Sequence, residues 1–319
     1  MSRATPVILD VDTGVDDACA IMLAALHPDL DLRAVTCVDG NAPLGDVVRN
    51  TLTVLDACGR EDVVVAAGAD RPLLEGRVHA RHVHGEDGMG DLEWPASTRS
   101  PDARHAVEVL RDVLTATDRP VTLVPLAPLT NIALLLRTYP DVAAGLDRIV
   151  FMGGAAQAGN ATASAEFNVF HDPEAAAIVL DACADLGIEV LMYGLDVFYG
   201  PQVSAETARE LADRHHSGPA GLAGRLIAHQ CERFGSESAT IGDAGAVAAV
   251  IDPSALSIRR LPVRVELAGT WSRGRTIVDL RDWDGNLAHD PHGQAPSLID
   301  VALDVDGDRY AKLWLDTVT

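Results

Sequence analysis

Four aspartates crowd into the eight residues "DVDTGVDD": Asp10, Asp12, Asp16 and Asp17. They follow the short apolar run "PVIL", which reads as a buried strand, and they precede the helical pattern "DDACAIMLAALH". Helix capping accounts for part of this charge, because Asp16 or Asp17 would sit favourably at the positive end of that helix. It does not account for Asp10 and Asp12, which lie two residues apart and so on one side of the strand. Unpaired carboxylates at this spacing raise one another's pKa and destabilise the fold. A hard divalent cation removes the conflict, and an oxygen-only donor set suits Ca²⁺ or Mg²⁺ rather than zinc.

A second constellation lies far along the chain, in "NATASAEFNVFHDPEAA", Asn160 to Ala177. Asp172 followed by Pro173 is a helix start, with proline at the first helical position. Ahead of it stand Asn160, Glu166 and Asn168. A solvated loop would explain them, but two amides and a carboxylate also offer the donors and acceptors that reading several sugar hydroxyls requires. A phosphate would instead call for Arg, Lys or bare backbone amides. Glu166 would repel it.

The elements that must hold these groups are legible as an alternation. Val- and Ile-rich runs ("PVILDV", "DLRAVTCV", "VVVAAG", "RPVTLVPL", "DRIVFMGG", "IEVLMYGLDV") alternate with helical patterns. That is the signature of βαβ units and a parallel sheet. "LPVRVELAG" and "RTIVDLRD" alternate more like antiparallel strands, and "GDRYAKLWLDTV" reads as a closing helix. The expectation is α/β: a single domain over residues 1–319, with a mostly parallel, doubly wound, Rossmann-like sheet, helices on both faces, and some antiparallel strands toward the C-terminus. Ligands of such sheets bind beyond the carboxyl ends of the strands. Here those ends are "DVDTGVDD", "VDGN", "LAPLTN", "FMGG" and "GLDV", where polar and small residues collect.

Bulk properties narrow the partners. A formal net charge of −22 argues against nucleic acid or an anionic membrane as partner. No apolar run approaches the roughly 18 residues of a membrane span, and "MSRATPVILD" lacks a secretory apolar core. The 5 cysteines are scattered without C-x-x-C spacing, as reduced core thiols would be. A cytoplasmic protein acting on a small molecule is the expectation. Lys312 is its one lysine.

Taken together, "DVDTGVDDA", "VDGN", "HGEDGMG", "PLAPLTNIA", "FMGGA", "NATASAEFNVFHDPEAA" and "GDAGAVAAVIDP" resemble, in the same order from Ile8 to about Pro253, the nucleoside hydrolases of the inosine–uridine-preferring type. The resemblance implies Ca²⁺-dependent hydrolysis of the N-glycosidic bond of purine or pyrimidine ribonucleosides to free base and ribose, in a homodimer or homotetramer. It implies Asp12, Asp17, Asp243 and the backbone carbonyl of Leu126 as metal ligands, with Asp10 behind them. Asp12 would also be the general base on a metal-activated water. Asp16 and Asn168 would hold the ribose 2′-hydroxyl, Asn41 would lie near the 2′- and 3′-hydroxyls, and Asn160, Glu166 and Met152 would lie toward the 5′ end.

The departures fall on the base side. Many relatives carry a histidine just before the residue matching Asp243, thought to protonate the leaving base; this chain has Gly242. The family's "DVTH" reads "DVFY", with Phe198 and Tyr199. His84 matches a family histidine near the site and is a candidate acid. Gln230 and Phe234, four apart on one helical face, are candidates for reading the base. His229, Glu237 and Trp283 are further candidates, each with a structural role as the alternative.

Two other classes compete. "ILDVDTG" has the D-x-D-x-T form that opens haloacid dehalogenase-type phosphohydrolases, but these need a basic residue deep in the site, and Lys312 is poorly placed for it. A sugar-binding or altered-specificity homologue that has lost the leaving-group acid would also fit Gly242. No G-K-[ST] is present, which excludes a P-loop enzyme.

Overall fold

The computed structural model describes residues 4–281 and 296–319. Trp283 lies outside the described residues. Strands β1 (Thr5–Val11), β2 (Leu30–Cys37), β3 (Val64–Ala67), β4 (Val121–Pro125), β5 (Leu146–Met152) and β6 (Glu189–Tyr193) pair in parallel in the order β3-β2-β1-β4-β5-β6. This is the doubly wound order, with β1 at the point where the strand order reverses. A short antiparallel pair, β7 (Gln202–Ser204) and β8 (Ser238–Thr240), stands apart from the main sheet. The main sheet continues past β6 through β11 (Ser297–Val305), parallel to β6, then β9 (Leu256–Val265) and β10 (Thr276–Val278), both antiparallel.

Alternation along the strands fills two apolar layers. On β1, Val7, Leu9 and Val11 enter one layer and Ile8 the other, all fully buried. The first layer is closed by α1 (Val15–Leu26), α2 (Leu44–Ala57), and, later in the chain, α10 (Gly218–Phe234), α11 (Ala244–Ile251) and α12 (Gly307–Val318). The second is closed by α4 (Ala106–Ala116), α5 (Thr130–Thr138) and α7 (Pro173–Leu186). Short helices α3 (Arg81–His84), α6 (Phe167–His171) and α8 (Leu195–Phe198) sit in the connections, and α9 (Ala205–Arg214) packs on α10. Buried Trp314 of α12 donates its indole N–H to the Cys19 carbonyl of α1 at 2.9 Å.

The expected α/β class and the parallel and antiparallel assignments agree with this sheet. One expectation differs in detail. β1 ends at Val11, so Asp10 and Asp12 do not share a strand face. Asp10 accepts hydrogen bonds from Thr36 at 2.5 Å and Asn131 at 2.8 Å, whereas Asp12 turns toward Asn41.

Candidate active site

The sharp turn from β1 into α1 delivers the acidic cluster to the carboxyl edge of the sheet. Asp17, in the first turn of α1, reaches back to accept from the Gly14 amide at 2.8 Å and the Asp12 amide at 3.3 Å. Capping and clustering are therefore the same structure, since the residue that caps α1 is also held among the other acids. Asp12 accepts from the backbone and side-chain amides of Asn41 at 2.7 and 3.1 Å. That approach needs Gly40, because a Cβ there would lie 2.0 Å from Asp12 Oδ2. Asn41 also reaches Asp17 at 3.3 Å.

Asp243, from the other end of the chain, completes the cluster at the head of α11. Carboxylate oxygens of Asp16, Asp17 and Asp243 lie within 4.8 Å of one another. Asp12, Asp17 and Asp243 are buried. Burial and then neighbouring acids push Asp12 and Asp243 well above the ordinary carboxylate range and Asp17 to about 7. No lysine or arginine among the described residues lines the cleft to offset this charge. The donor set is oxygen only, buried and short of positive charge, so it fits a calcium ion.

The residues expected on the sugar side converge from the neighbouring strand ends. Leu126 follows β4, and its carbonyl accepts from Asn168 Nδ2 at 3.0 Å. The same amide nitrogen reaches the carbonyl of Met152, the last residue of β5, at 3.2 Å. Glu166 caps α6. Its Oε1 accepts from the Asn168 amide at 2.8 Å, and its Oε2 accepts from the Gly154 and Val169 amides at 2.8 and 3.1 Å. Burial nonetheless pushes Glu166 up to about 7. Asn160 accepts from the Phe167 amide at 2.9 Å.

One cleft of about 450 Å³ is lined by Asp16, Asn41, His84, Leu126, Met152 and Asn160, and also by Glu166, Asn168, Gln230, Phe234 and Asp243. Asp12 and Asp17 lie fully buried behind it. His229 and Glu237 are not on its wall; the Glu237 side chain is exposed, and Gly90 packs closely on the His229 ring.

The end of the cleft expected to take the base departs from the family pattern at Gly242, Phe198 and Tyr199. Gly242 has φ +31°, and a Cβ there would meet the Phe198 ring at 2.3 Å, so that ring fills the room a larger residue would need. Tyr199 stands edge-on to Phe198. His84 Nδ1 accepts from the Val15 amide at 3.3 Å, which leaves the ring proton on Nε2, and burial holds its pKa below the usual histidine range. His82, Gln202, Ser238 and Thr240 also line this end. They went unnoticed in the sequence because the β7–β8 pair that brings three of them is only three residues per strand. Arg233 of α10 donates to the His82 and Arg81 carbonyls at 2.8 and 3.1 Å, tying α10 to α3 across the mouth.

The family model described as inosine-uridine preferring nucleoside hydrolase matches residues 7–312. The chain belongs to this family. Among relatives of this nucleoside hydrolase, the pyrimidine-specific ribonucleoside hydrolase RihA of Photobacterium profundum is 40% identical over 285 residues, 88% of this chain and 89% of the relative. The non-specific ribonucleoside hydrolase RihC of Klebsiella pneumoniae is 38% identical over 307 residues, covering 96% of each chain. A plant nucleoside hydrolase structure superposes with a TM-score of 0.88 at 30% identity, covering 99% of each chain.

This nucleoside hydrolase is accordingly an N-ribosyl hydrolase with calcium as its cofactor. Membership makes it an enzyme rather than a sugar-binding homologue. The phosphohydrolase reading also fails on geometry: Lys312 is exposed on α12 and paired with Asp316 at 2.7 Å. No helix among the described residues is long and apolar enough to cross a membrane.

Proposed function

We propose that this nucleoside hydrolase cleaves purine or pyrimidine ribonucleosides, with Asp12 as general base and with Asp12, Asp17, Asp243 and the Leu126 carbonyl as calcium ligands. The observation that carries the reading is the convergence of buried Asp12, Asp17 and Asp243 with the Asn41, Glu166 and Asn168 set at one cleft that no lysine or arginine among the described residues lines. When bound, calcium anchors sugar hydroxyls and makes a water more acidic.

The remaining work belongs to the side chains. The two Asn41 amides fix the Asp12 carboxylate, so its proton-accepting oxygen is presented in one orientation. Asp16 and Asn168 bind the 2′-hydroxyl, and Asn41 lies near the 2′- and 3′-hydroxyls. Asn160, Glu166 and Met152 line the path of the 5′ end. Breaking the ribosyl C–N bond builds positive charge on the sugar, which the carboxylates beneath it favour. The base sits near Gln230 and Phe234 at the end walled by Phe198. His84 donates a hydrogen bond from Nε2 to the departing base; being neutral, it stabilises the charge on that base, and the proton comes from solvent.

Release of reducing sugar from a uridine, cytidine, inosine and adenosine panel tests the reading. Turnover of at least one, abolished in Asp12→Asn, is the expected result, and no ribose from any of them overturns it. We further propose a single domain over residues 1–319, a cytoplasmic location, and a homodimer or homotetramer, which light scattering on the purified protein tests.

A further inference from the structure

A buried aspartate and two histidines beside the cleft take no part in this chemistry. Asp39 sits on the turn after β2, two residues before Asn41, and is 2% exposed. Three basic groups face it: His79 Nε2 at 3.3 Å, Arg77 Nε at 3.9 Å, and His171 Nε2 at 3.7 Å. Arg77 is shared with Asp70, to which it donates at 2.7 Å. His171 closes α6 and is 2% exposed. Its Nδ1 lies 3.1 Å from the Val78 carbonyl, a bond that only an Nδ1–H can make. The neighbouring Asp172 carboxylate is committed to Leu73, Thr130 and Ala175.

The facing atoms of Asp39 and His171 are the anomaly. Both Asp39 Oδ2 and His171 Nε2 are buried without a hydrogen-bond partner. Buried polar atoms are nearly always paired. Without a proton between them, a carboxylate oxygen and a ring lone pair confront each other. With one, they attract each other across the 3.7 Å gap and close into a hydrogen bond by a shift of under about 1 Å, and the pair carries no net charge.

We propose that Asp39 and His171 share one proton in a hydrogen-bonded clasp that positions Asn41 and Asn168 on the sugar side of the cleft; this rests on the sugar reading above. Asp39 lies on the turn whose Asn41 amides hold Asp12. His171 lies three residues beyond Asn168 on α6, the helix capped by Glu166. The segment 77–79 is gripped between them, through His79 on Asp39 and the Val78 carbonyl on His171. The clasp thus ties together two site-bearing segments that come from distant parts of the chain. Burial pushes Asp39 up and His171 down to about 4, so neither group favours carrying its charge alone.

The test uses the calcium-loaded enzyme, with D-ribose as the binding probe and uridine and inosine as substrates. Asp39→Ala is expected to weaken ribose binding and raise KM roughly tenfold while kcat stays within about twofold. Asp39→Asn, whose amide N–H donates to neutral His171 Nε2, is expected to restore both to within about twofold of wild type. Imidazole ¹⁵N spectra of the wild-type protein should show Nδ1 of His171 protonated, a readout that requires no variant. Equal behaviour of the Ala and Asn variants, or a proton on Nε2 alone at neutral pH, overturns the clasp. Asn168→Ala separates the two readings. Lost ribose affinity there with none lost in Asp39→Ala overturns the clasp and leaves the sugar reading standing. No loss in either variant overturns both.

Discussion

In the proposed mechanism Asp12 serves two roles with opposed demands, since a metal ligand is best fully ionised and a base must accept a proton. The two Asn41 amides reconcile them by holding the carboxylate in one orientation. Asp12→Asn keeps the shape and removes the base, so turnover should fall by at least ~10²–10⁴-fold in a ribose-release assay with circular dichroism unchanged. Asn168→Ala and 2′-deoxyribonucleosides remove the two sides of one contact. Each should lower kcat/KM strongly, and the combination should cost little more than either alone, as a double cycle of variant against substrate would read. Glu166 sets a pH dependence. Its folded pKa of about 7 lies above its ordinary 4.5, so the folded state holds a proton that the unfolded chain has released. The stability it contributes is present below 4.5 and lost as pH rises through about 7. Urea unfolding of chelator-treated protein at pH 5 and pH 7.5 should be flatter in Glu166→Gln than in wild type.

At the scale of elements, the end of the cleft proposed to take the base turns on one pair. Gly242 at the approach to α11 and Phe198 at the end of α8 occupy complementary volumes. Gly242→Ala forces its methyl group against the ring from a left-handed backbone, and overpacking of this kind costs about 1–3 kcal/mol. Phe198→Leu should recover part of that loss, and thermal unfolding of the two single variants and the double variant measures how much. The same region marks the limit of what the sequence carries. The acidic knot and the Asn160–Asn168 loop were legible because strand ends, chemistry and spacing coincide there. The doubly wound sheet was legible because Val- and Ile-rich runs alternate with helical patterns. Phe198 against Gly242 is a contact between segments more than forty residues apart, and no local pattern announces it. His82, Gln202, Ser238 and Thr240 reach the cleft for the same reason. Glu166 reads as a sugar ligand from its residue type and from the family resemblance; that it also caps α6 through the Asn168 and Val169 amides and accepts from the Gly154 amide depends on a turn the sequence does not spell out.

Across the whole molecule, calcium links chemistry to stability. Of the proposed ligands, Asp12 and Asp17 come from the first strand–helix turn, Leu126 from the segment after β4 and Asp243 from the start of α11, so the site draws on segments far apart in the chain. An ion that binds only the folded arrangement of these groups stabilises it by about 2.7 kcal/mol at a hundredfold excess over Kd. Chelation should lower Tm and abolish ribose release together, with calcium restoring both; unchanged activity in chelator would contradict the assignment. The indole of Trp314 adds a constraint of a different kind. It fastens α12 to the helix that carries Asp17, across 295 positions of chain, while β11 enters the sheet between β6 and β9. The helix that presents Asp17 is thereby held by a residue from a distant part of the chain as well as by the strand that precedes it.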